Sequence, residues 1–595
     1  MTKIEAQLDP SSPRRARKQL KGRQVDLQDL HELRETLGAQ QYQRDHLIEY
    51  LHRINDQHRG LPERLLVALA DEMRLGMAEV FEVASFYHHF DILPDGQTAP
   101  TLTVRVCDSL SCELLGARQL REALPAHIAD MNIKVVGAPC LGRCEQAPCA
   151  AVGQQVVLKA TLQSLSQAVA VRDAGAHIGA DDAVFDPASL GPHAVTTGTE
   201  LIAPAFVGYA QYRAQGGYLK VQSLAVLLDR GELAAEDIFK QLESSGLRGL
   251  GGAGFPAGRK WRIVAAQEAP RLMAVNIDEG EPGTFKDRTY LERDPHRFLE
   301  GLLIATKVVG VSACYIYLRD EYHACRQLLQ AELARLQADP PFSLPTIELR
   351  RGAGAYICGE ESAMIESIEG KRGEPRLRPP YIAQVGLFGR PTLEHNFETL
   401  YWLRDIFERG APWFAAFGRH GRQGLRSFSV SGRVKEPGVK LAPAGITLRE
   451  LVSEFCGGMQ DGHELYAYLP GGASGGILPA RLADLPLDFD TLQPHGCFIG
   501  SAAVIVLSQA DKARQAASNV MRFFADESCG QCTPCRVGTV KAVHLMQAPR
   551  WDQPTLSDLC SVMADASICG LGQAAPNPIR CVQQYFADEV DGSQA

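Results

Sequence analysis

The sequence has neither a long apolar segment nor an excess of positive charge. Its most apolar run, residues 497–507, is far shorter than the roughly 20 residues that cross a bilayer, and therefore predicts a buried element. The net charge is −9, so electrostatic binding to nucleic acid is not expected. Basic residues cluster only over 13–23, and no apolar stretch follows the twin Arg14 and Arg15. These absences predict a cytoplasmic protein that binds neither membranes nor nucleic acid.

The chain has 595 residues, enough for several domains. Apolar residues at three-and-four spacing predict helices near both ends, and alternating stretches such as "TLTVRV" and "NIKVVG" predict strands. We therefore expect a multidomain α/β protein. Its predicted segments are a disordered basic arm (1–24), a helical subdomain (25–95), a small α/β unit (96–173), a linker (174–215), a large α/β domain (216–424), a compact β-rich domain (425–507) and a helical domain (508–595).

The sixteen cysteines are many for a chain without a signal peptide, which favours metal ligation over disulfides. The stretch "ESCGQCTPCRVG" holds a C-x₂-C-x₂-C triplet, and a triplet with a distant fourth cysteine is typical of a [4Fe–4S] cluster. The triplet is Cys529, Cys532 and Cys535, and the downstream candidates are Cys560, Cys569 and Cys581. We favour Cys569, because the glycines of "SICGLGQAA" allow close backbone approach. The alternatives are a zinc site or four free buried thiols.

A second cysteine set combines a C-x₄-C pair with a C-x₃-C pair. Each pair follows a predicted strand, so loops at one edge of a sheet could bring Cys107, Cys112, Cys140 and Cys144 together. Two thiolate pairs suit a [2Fe–2S] cluster, whereas zinc favours shorter and matched gaps. We expect Cys149, which breaks the spacing, to be a packed thiol, like the cysteines outside the two sets.

A glycine-rich loop, "GLRGLGGAGFPAGRKW", contains G-x-G-x-x-G at Gly249, Gly251 and Gly254. That motif normally follows a strand, but the preceding "AAEDIFKQLESSG" predicts a helix, so a standard dinucleotide site is not indicated. Bare backbone N–H groups could still approach a phosphate or a flat ring, with Arg259 and Lys260 supplying positive charge. The alternative is a tight structural turn.

Polar residues gather beside further strand ends and glycine-rich turns. Ligands of open α/β sheets bind where strands end, and the stretch after "RLMAV" carries several acids there. Because these groups lie on or beside glycine-rich turns, they suggest one bound cofactor; salt-bridged surface acids are the alternative. The residues concerned are Asn276, Asp278, Glu279, Glu281, Glu360, Glu361, Asn396 and Thr399.

These motifs resemble those of a known family. "GLRGLGGAGFP", "EGEPGTFKDR", "GAYICGEES", "ESCGQCTPCR" and "SICGLGQ" resemble the NADH-oxidising flavoprotein subunit of respiratory complex I. "VFEVASFYHHF", with the two cysteine pairs, resembles that complex's small [2Fe–2S] subunit. Fusions of the two occur in diaphorase subunits of NAD-reducing hydrogenases and NAD-dependent formate dehydrogenases. Stretches such as "QRDHLIEYLHRI" and "LPGGASGGILPA" most resemble the beta subunit of the molybdenum- or tungsten-containing formate dehydrogenases.

The resemblance implies a fold for each segment: a thioredoxin-like [2Fe–2S] domain, a Rossmann-like FMN and NADH domain, a ubiquitin-like β-grasp domain and a four-helix bundle with the [4Fe–4S] cluster. It also implies cofactor contacts. For FMN these are Gly249, Gly251, Lys260, Asn276, Asp278, Glu279, Tyr356, Gly359, Glu360, Asn396 and Thr399, and Gly252 and Gly254 of the same loop are further cofactor-binding residues. For NAD(H) they are Phe255, Glu281, Glu361, Arg378 and Tyr381.

The implied function is electron transfer from formate, oxidised in a partner subunit, to NAD⁺. The partner would be an alpha subunit with a molybdenum or tungsten pterin site and further iron–sulfur clusters, in a heterodimer or higher assembly. No catalytic acid, base or nucleophile is expected, and Glu281 would position the nicotinamide nucleotide. The alternatives are the diaphorase of an NAD-reducing [NiFe] hydrogenase, a fused complex I-type NADH dehydrogenase module, or an assembly scaffold with structural clusters and no flavin.

Overall fold

The computed structural model describes residues 23–128, 132–173 and 206–591. The first 22 residues of the predicted basic arm, and residues 174–205 of the predicted linker, lie outside the described residues. Within the part of the chain that is described, no helix is long and apolar enough to span a membrane.

The first described segment is helical, as the apolar periodicity predicted. Its elements are α1 (Leu27–Leu37), α2 (Leu47–His58), β1 (Leu61–Pro62), α3 (Glu63–Met73), α4 (Met77–Phe86) and β2 (Ile92–Leu93). Helix α2 is amphipathic and buries Leu47, Leu51 and Ile54 completely. Its buried His52 faces the large α/β domain, where the ring lies 2.9 Å from the Gly352 carbonyl oxygen.

The next segment is a small sheet covered by helices. Its elements are β3 (Leu102–Cys107), α5 (Leu110–Glu113), α6 (Ala117–His127), β4 (Ile133–Ala138), β5 (Ala150–Val152), β6 (Gln155–Val157) and α7 (Leu162–Asp173). The strand order is β4-β3-β5-β6, and only β3 and β4 run parallel. Because Cys107 pairs with Ala138 at the end of this parallel pair, the loops that follow both strands leave the sheet at the same edge.

The large α/β domain contains a four-stranded parallel sheet in the order β10-β7-β8-β9. The elements are α8 (Tyr209–Ala214), α9 (Leu219–Asp229), α10 (Ala235–Ser244), α11 (Ala257–Ala265), β7 (Arg271–Ile277), α12 (Lys286–Leu291), α13 (Pro295–Val309), β8 (Val311–Leu318), α14 (His323–Ala338), β9 (Thr346–Arg351), α15 (Glu361–Ile368), β10 (Thr392–Asn396), α16 (Phe397–Tyr401), α17 (Leu403–Arg409) and α18 (Ala411–Ala415). The central β7 ends in the polar segment that the sequence singled out.

Helix α8 lies within the predicted linker and is part of the large domain. The Tyr212 hydroxyl donates to Glu300 at 2.6 Å, and the Tyr209 N–H donates to Glu332 at 2.9 Å. Both tyrosine side chains are buried against α13 and α14. The last residues of the linker segment are therefore ordered by tertiary contacts, which local Ala, Gly and Pro content does not reveal.

The β-rich domain is a five-stranded mixed sheet in the order β12-β11-β15-β13-β14. Its elements are β11 (Leu425–Gly432), β12 (Gly438–Pro443), α19 (Leu448–Glu450), β13 (Leu465–Leu469), β14 (Leu478–Pro479) and β15 (Ala503–Ser508). The first and last strands, β11 and β15, lie parallel at the centre, and all six residues of β15 are buried. This strand lies in the apolar run that the sequence predicted to be a buried element.

The C-terminal domain consists of helices. They are α20 (Ala513–Asp526), α21 (Thr533–Met546), α22 (Gln553–Ala566), α23 (Gly570–Ala574) and α24 (Asn577–Tyr585). Helix α22 begins at a capping Asp552, whose side chain accepts from the Thr555 N–H, and has a proline in its first turn. The cysteine triplet leads into α21, and Cys569 immediately precedes α23, so both cluster segments stand at helix starts.

Candidate functional site

A cavity of about 400 Å³ opens at the carboxyl end of β7. Five separated stretches of the large domain line it, together with residues of the β-rich and C-terminal domains. Sixteen of the eighteen predicted cofactor residues are on its wall: Gly249, Gly251, Gly252, Gly254, Phe255, Lys260, Asn276, Asp278, Glu279, Glu281, Tyr356, Gly359, Glu360, Glu361, Arg378 and Asn396. The two that are not are Thr399 and Tyr381.

The glycine-rich loop connects α10 to α11, so it follows a helix, as the sequence predicted. Gly251 packs so tightly that a Cβ there would lie 2.9 Å from Asn396 Cβ. Gly254 has a positive φ of 66°, and its Cβ would lie 2.6 Å from the Phe489 ring. Glycine at these two positions therefore allows the loop to pack closely against Asn396 and Phe489, and no side chain at either position separates the backbone from the cavity.

Thr399 lies beneath this loop instead of on the cavity wall. Its buried Oγ1 accepts a hydrogen bond from the Leu250 N–H at 2.9 Å. This contact fixes the loop between Gly249 and Gly251 from below. Tyr381, the other predicted residue outside the wall, is 55% exposed.

The acidic segment after β7 presents an unpartnered acceptor to the cavity. Asp278 Oδ2 is buried and has no hydrogen-bond partner among the described residues. Burial raises the pKa of Asp278 well above its usual value, and the nearby Arg319 guanidinium only partly offsets this. Asn276 is held by its Nδ2, which donates to the Gly359 carbonyl at 2.9 Å. A ligand that brings hydroxyl or ring N–H donors would satisfy the free oxygen, and this fits a flavin mononucleotide.

Lys286 is the buried counter-charge of the acids around the cavity. Its Nζ lies 2.6 Å from Asp287 and 3.2 Å from Glu398. Burial alone lowers the pKa of Lys286, but the surrounding carboxylates outweigh it and the net pKa is raised. Burial raises the pKa of Glu279 to about 7, even though Glu279 accepts from the Asp287 N–H at 2.8 Å. The cavity is thus polar, and acids outnumber bases on its wall by seven to three.

Glu281 connects the large domain to the β-rich domain. Its Oε1 accepts from the Ser474 N–H at 2.8 Å and from the Ser474 hydroxyl at 2.7 Å, while the Tyr356 hydroxyl donates to Oε2. Burial raises the pKa of Glu281, although these donors oppose the shift. Asn577 of α24 in turn donates to the Ser474 carbonyl at 3.0 Å, so three domains fix this carboxylate.

Charged side chains line the cavity from its interior to its mouth, where a ring is exposed. Lys260 Nζ contacts Glu394 at 2.9 Å, and Arg378 lies 3.0 Å from Glu361. Phe255 is 39% exposed, which is unusual for a large apolar side chain and suits a surface on which a planar ligand stacks. The mouth therefore offers both signs of charge and one aromatic face.

Sequence reasoning missed fourteen residues of the wall as contacts. They are Ala253, Gly280, Thr284, Lys286, Asp287, Ile357, Glu394, His395, Ser474, Phe498, Gly500, Ser501, Gly570 and Leu571. Lys286 and Asp287 stand in the quoted "EGEPGTFKDR" and could have been found as the counter-charges of its acids. The residues from the β-rich and C-terminal domains carry no local signal, because only the tertiary fold brings them to the cavity.

The C-terminal cysteines gather beside the same cavity. A Cβ on Gly572 would lie 2.9 Å from Cys535 Cβ, so the turn after Cys569 packs directly on the triplet. Burial raises the pKa of Cys529 to about 12, with a further contribution from the Cys569 thiol. Cys581 instead lies 3.5 Å from Cys497, sulfur to sulfur. The structure therefore brings Cys569, and not Cys581, to the triplet.

The N-terminal cysteine pairs converge as the strand positions predicted. The Cys140 and Cys144 sulfurs lie 3.3 Å apart, and the neighbouring Cys112 and Cys140 thiols, followed by burial, raise the pKa of Cys107. Cys149 donates its S–H to the carbonyls of Arg143 and Gln146 at 3.2 and 3.1 Å, which fits a packed thiol.

The spacing of the sulfurs bears on the zinc alternative. Tetrahedral zinc with bonds of about 2.3 Å holds its sulfur ligands about 3.8 Å apart. Among the described residues, no three cysteines bring their sulfurs within 4.8 Å of one another. In neither set, therefore, do three sulfurs have the spacing of a preformed tetrahedral zinc site.

Comparisons with known proteins agree with this geometry. Four family models match: a thioredoxin-like [2Fe-2S] ferredoxin (33–171), a Nuo51 FMN-binding domain (242–405), an SLBB domain (427–478) and the NADH-ubiquinone oxidoreductase-F iron-sulfur binding region (515–593).

Individual relatives cover different shares of the chain. An NADH-quinone oxidoreductase subunit of Rhizobium meliloti (strain 1021) is 39% identical over 393 residues, which are 64% of this chain and 92% of the relative. The mitochondrial NADH-ubiquinone oxidoreductase 51 kDa subunit of Neurospora crassa is 40% identical over 60% of this chain and 76% of its own length. A chain of the NAD⁺-reducing [NiFe]-hydrogenase in its H₂-reduced state is 30% identical, with a TM-score of 0.78 over 93% of both chains.

The position of Thr399 beneath the loop generates a test. We expect Thr399→Val to leave the buried Leu250 N–H unpaired and to lower the free energy of unfolding of the flavin-free protein by about 1–3 kcal/mol. Thr399→Ser keeps the acceptor oxygen and is the matched control. Urea unfolding of the apoprotein measures the difference. Unchanged apoprotein stability combined with weaker FMN binding would instead mean that Thr399 contacts the ligand directly.

Proposed function

Because the chain belongs to the family of complex I-type NADH-oxidising flavoprotein subunits, here fused to the small [2Fe–2S] subunit, we propose that it is the NADH-binding diaphorase subunit of a formate dehydrogenase. At the family level it is an oxidoreductase with FMN, NAD(H), a [2Fe–2S] and a [4Fe–4S] cluster as cofactors. The proposal adds the partner, the electron source and the individual site residues.

One observation carries the electron-transfer function. Gly570 and Leu571, which directly follow Cys569, are part of the wall of the cavity that the glycine-rich loop and Glu281 also line. A cluster held by the triplet and Cys569 would therefore share a wall with a ligand in the cavity. Such proximity serves electron transfer and has no use in a scaffold with an empty pocket.

We assign the inner part of the cavity to FMN. The backbone of the glycine-rich loop and Lys260 would hold the phosphate end, and the unpartnered Asp278 carboxylate would accept from hydroxyl or ring N–H donors. Bound FMN supplies the conversion between an electron pair carried as hydride and the single electrons that iron–sulfur clusters carry. The proposed FMN residues are Gly249, Gly251, Gly252, Gly254, Lys260, Asn276, Asp278, Glu279, Tyr356, Gly359, Glu360 and Asn396.

We assign the mouth of the cavity to NAD(H). The exposed Phe255 ring offers a face for stacking, and Arg378 with Glu361 offers polar contacts to a nucleotide. Glu281 is a positioning residue, because Ser474 and Tyr356 donate to its carboxylate from two domains, and Asn577 of a third domain holds Ser474 in place. The Tyr381 ring is exposed and would stack on the adenine. None of these residues acts as an acid, base or nucleophile.

We assign the clusters to the two cysteine sets. Cys529, Cys532, Cys535 and Cys569 would ligate the [4Fe–4S] cluster, and Cys107, Cys112, Cys140 and Cys144 the [2Fe–2S] cluster. The segment boundaries predicted from the sequence, with Rossmann-like, β-grasp and four-helix-bundle folds for the last three domains, are part of the same proposal. The parallel sheet of the large domain and the parallel central strands of the β-rich sheet support it.

The proposed partner is a cytoplasmic alpha subunit that oxidises formate at a molybdenum or tungsten pterin site and carries further iron–sulfur clusters. The stretches outside the cofactor motifs, such as "LPGGASGGILPA", support this choice. A hydrogenase partner is the second candidate, because the chain aligns over nearly its whole length with a chain of the NAD⁺-reducing [NiFe]-hydrogenase. Relatives that are NADH-quinone oxidoreductase subunits favour a fused complex I-type module as the third.

The first test is NADH-dependent reduction of ferricyanide by the chain loaded with FMN and iron. We expect turnover in the wild type, and a loss of about tenfold or more in kcat/KM for Glu281→Ala, with FMN content unchanged. The exposed Glu268→Gln is the matched control. A wild-type chain that is fully loaded but not reduced by NADH would refute the diaphorase function, and loss of FMN in Glu281→Ala would refute the role of Glu281.

The second test concerns the fourth ligand of the [4Fe–4S] cluster. We expect Cys569→Ser to abolish the electron paramagnetic resonance signal of the reduced [4Fe–4S] cluster, because its thiol faces the triplet. Cys560→Ser, another buried cysteine of the same domain, should retain it. The [2Fe–2S] signal serves as an internal control in both variants. Persistence of the [4Fe–4S] signal in Cys569→Ser would transfer the assignment to another cysteine.

The third test identifies the partner. We expect intact-mass analysis of the native complex to reveal an alpha subunit, with molybdenum or tungsten found by elemental analysis. Nickel in place of these metals would favour the hydrogenase alternative, and a complex that contains none of the three would favour the complex I-type module.

A further inference from the structure

Three potential metal ligands meet between the N-terminal helices and the large domain, away from the cysteine sets. His52 and Asp56 stand one turn apart on α2, and His89 follows α4. One ligand atom from each lies within 4.8 Å of the other two. Among the described residues, no other set of three or more His, Cys, Asp and Glu has this spacing.

The His52 ring presents a free lone pair. Its Nε2 lies 2.9 Å from the Gly352 carbonyl oxygen, which can only accept, so Nε2 carries the hydrogen. Its Nδ1 is then unprotonated, and it has no hydrogen-bond partner although His52 is only 1% exposed. A buried nitrogen lone pair without a donor is costly, and a bound cation would remove that cost.

The His89 ring also has one nitrogen whose lone pair is available to a metal. Its Nδ1 lies 2.8 Å from Asp320 Oδ2, which fixes the hydrogen on Nδ1 and leaves the lone pair on Nε2. Among the described residues only the Asn55 amide approaches that nitrogen, at 3.3 Å, which is a long hydrogen bond that a metal could displace. Histidines that ligate metals characteristically donate their other ring N–H to a carbonyl or a carboxylate, as both of these do.

Charge at the site favours a cation. Arg351 bridges Asp56 and Asp320 at 2.6 and 2.5 Å, so its single positive charge faces two carboxylates. With both imidazoles neutral, this group has one net negative charge. The same guanidinium holds Asp56 in place and leaves lone pairs on its carboxylate for a ligand.

We propose that His52 Nδ1, His89 Nε2 and Asp56 bind a zinc ion, with water as the fourth ligand. Two imidazoles and one carboxylate form a donor set that zinc accepts readily. A cavity of about 60 Å³, lined in part by His89 and Asp320, lies on the His89 side of this group. The ion would pin α2 and the segment after α4 together on the large domain. This inference does not depend on the proposed function.

The test measures zinc in the full chain with its clusters assembled, so that the cysteines are occupied by iron. The protein is dialysed against chelator, incubated with zinc sulfate and desalted, and zinc and iron are then counted by elemental analysis. We expect about one zinc per chain. X-ray absorption at the zinc edge should show nitrogen and oxygen neighbours at about 2.0–2.2 Å, with no sulfur at about 2.3 Å.

Variants connect the zinc to the three residues. His89→Gln and His52→Asn should lose the zinc while iron stays constant, and Asp56→Asn should weaken zinc binding by about tenfold or more. His58→Asn, on the same helix, and His88→Asn, beside His89, are the matched controls and should keep it. If His52→Asn loses iron as well, the substitution has disturbed the fold, and the variants of the less buried His89 and Asp56 then test the zinc site. Absence of zinc, a sulfur shell, or zinc retained in His89→Gln and Asp56→Asn would overturn the proposal.

Discussion

The ion cluster around Lys286 is the constraint on which the pocket depends. A lysine side chain this deeply buried is stable only with opposite charges in contact, and it finds them on two different segments, at Asp287 and Glu398. Asn396 completes the group by donating to Asp287 at 2.7 Å. The starts of α12 and α16, which follow β7 and β10 in the chain, are therefore held together, and the glycine-rich loop rests on Asn396. Removing one partner would leave an uncompensated charge beneath the whole cavity floor.

The second constraint is the docking of the small [2Fe–2S] domain on the large domain. Arg319 donates to the Glu279 carbonyl at 2.6 Å and to the Cys140 carbonyl at 2.7 Å, so a single guanidinium holds a wall residue of the pocket and a predicted cluster ligand. Arg288 adds a bond to the Gly142 carbonyl at 2.7 Å. Two units that resemble separate subunits in complex I thus share a buried polar interface here, which explains why the cysteine loop has a fixed position relative to the cavity.

The sequence predicted those features whose signals are local. Strand ends placed the two cysteine pairs and the acids after β7 correctly, because parallel strands end at one edge of a sheet. The helix before the glycine-rich loop also followed from its periodicity. Features that depend on long-range contacts could not be predicted from the sequence. Ser474 and Leu571 reach the cavity from other domains, and Thr399 lies below the loop because α16 passes beneath it. Helix α8 was hidden by its composition, and only its contacts with Glu300 and Glu332 explain its order.

The cavity wall joins residues from the beginning of the large domain to the last helices of the chain. Gly251 is synthesised more than 300 residues before Gly570 and Asn577, and Glu281 receives its Ser474 and Asn577 support only after those residues have been made. A nascent chain consequently has no complete site to offer a nucleotide during synthesis. The complete pocket can therefore form only once the chain has been synthesised through Asn577, the segment that also contains the C-terminal cysteines.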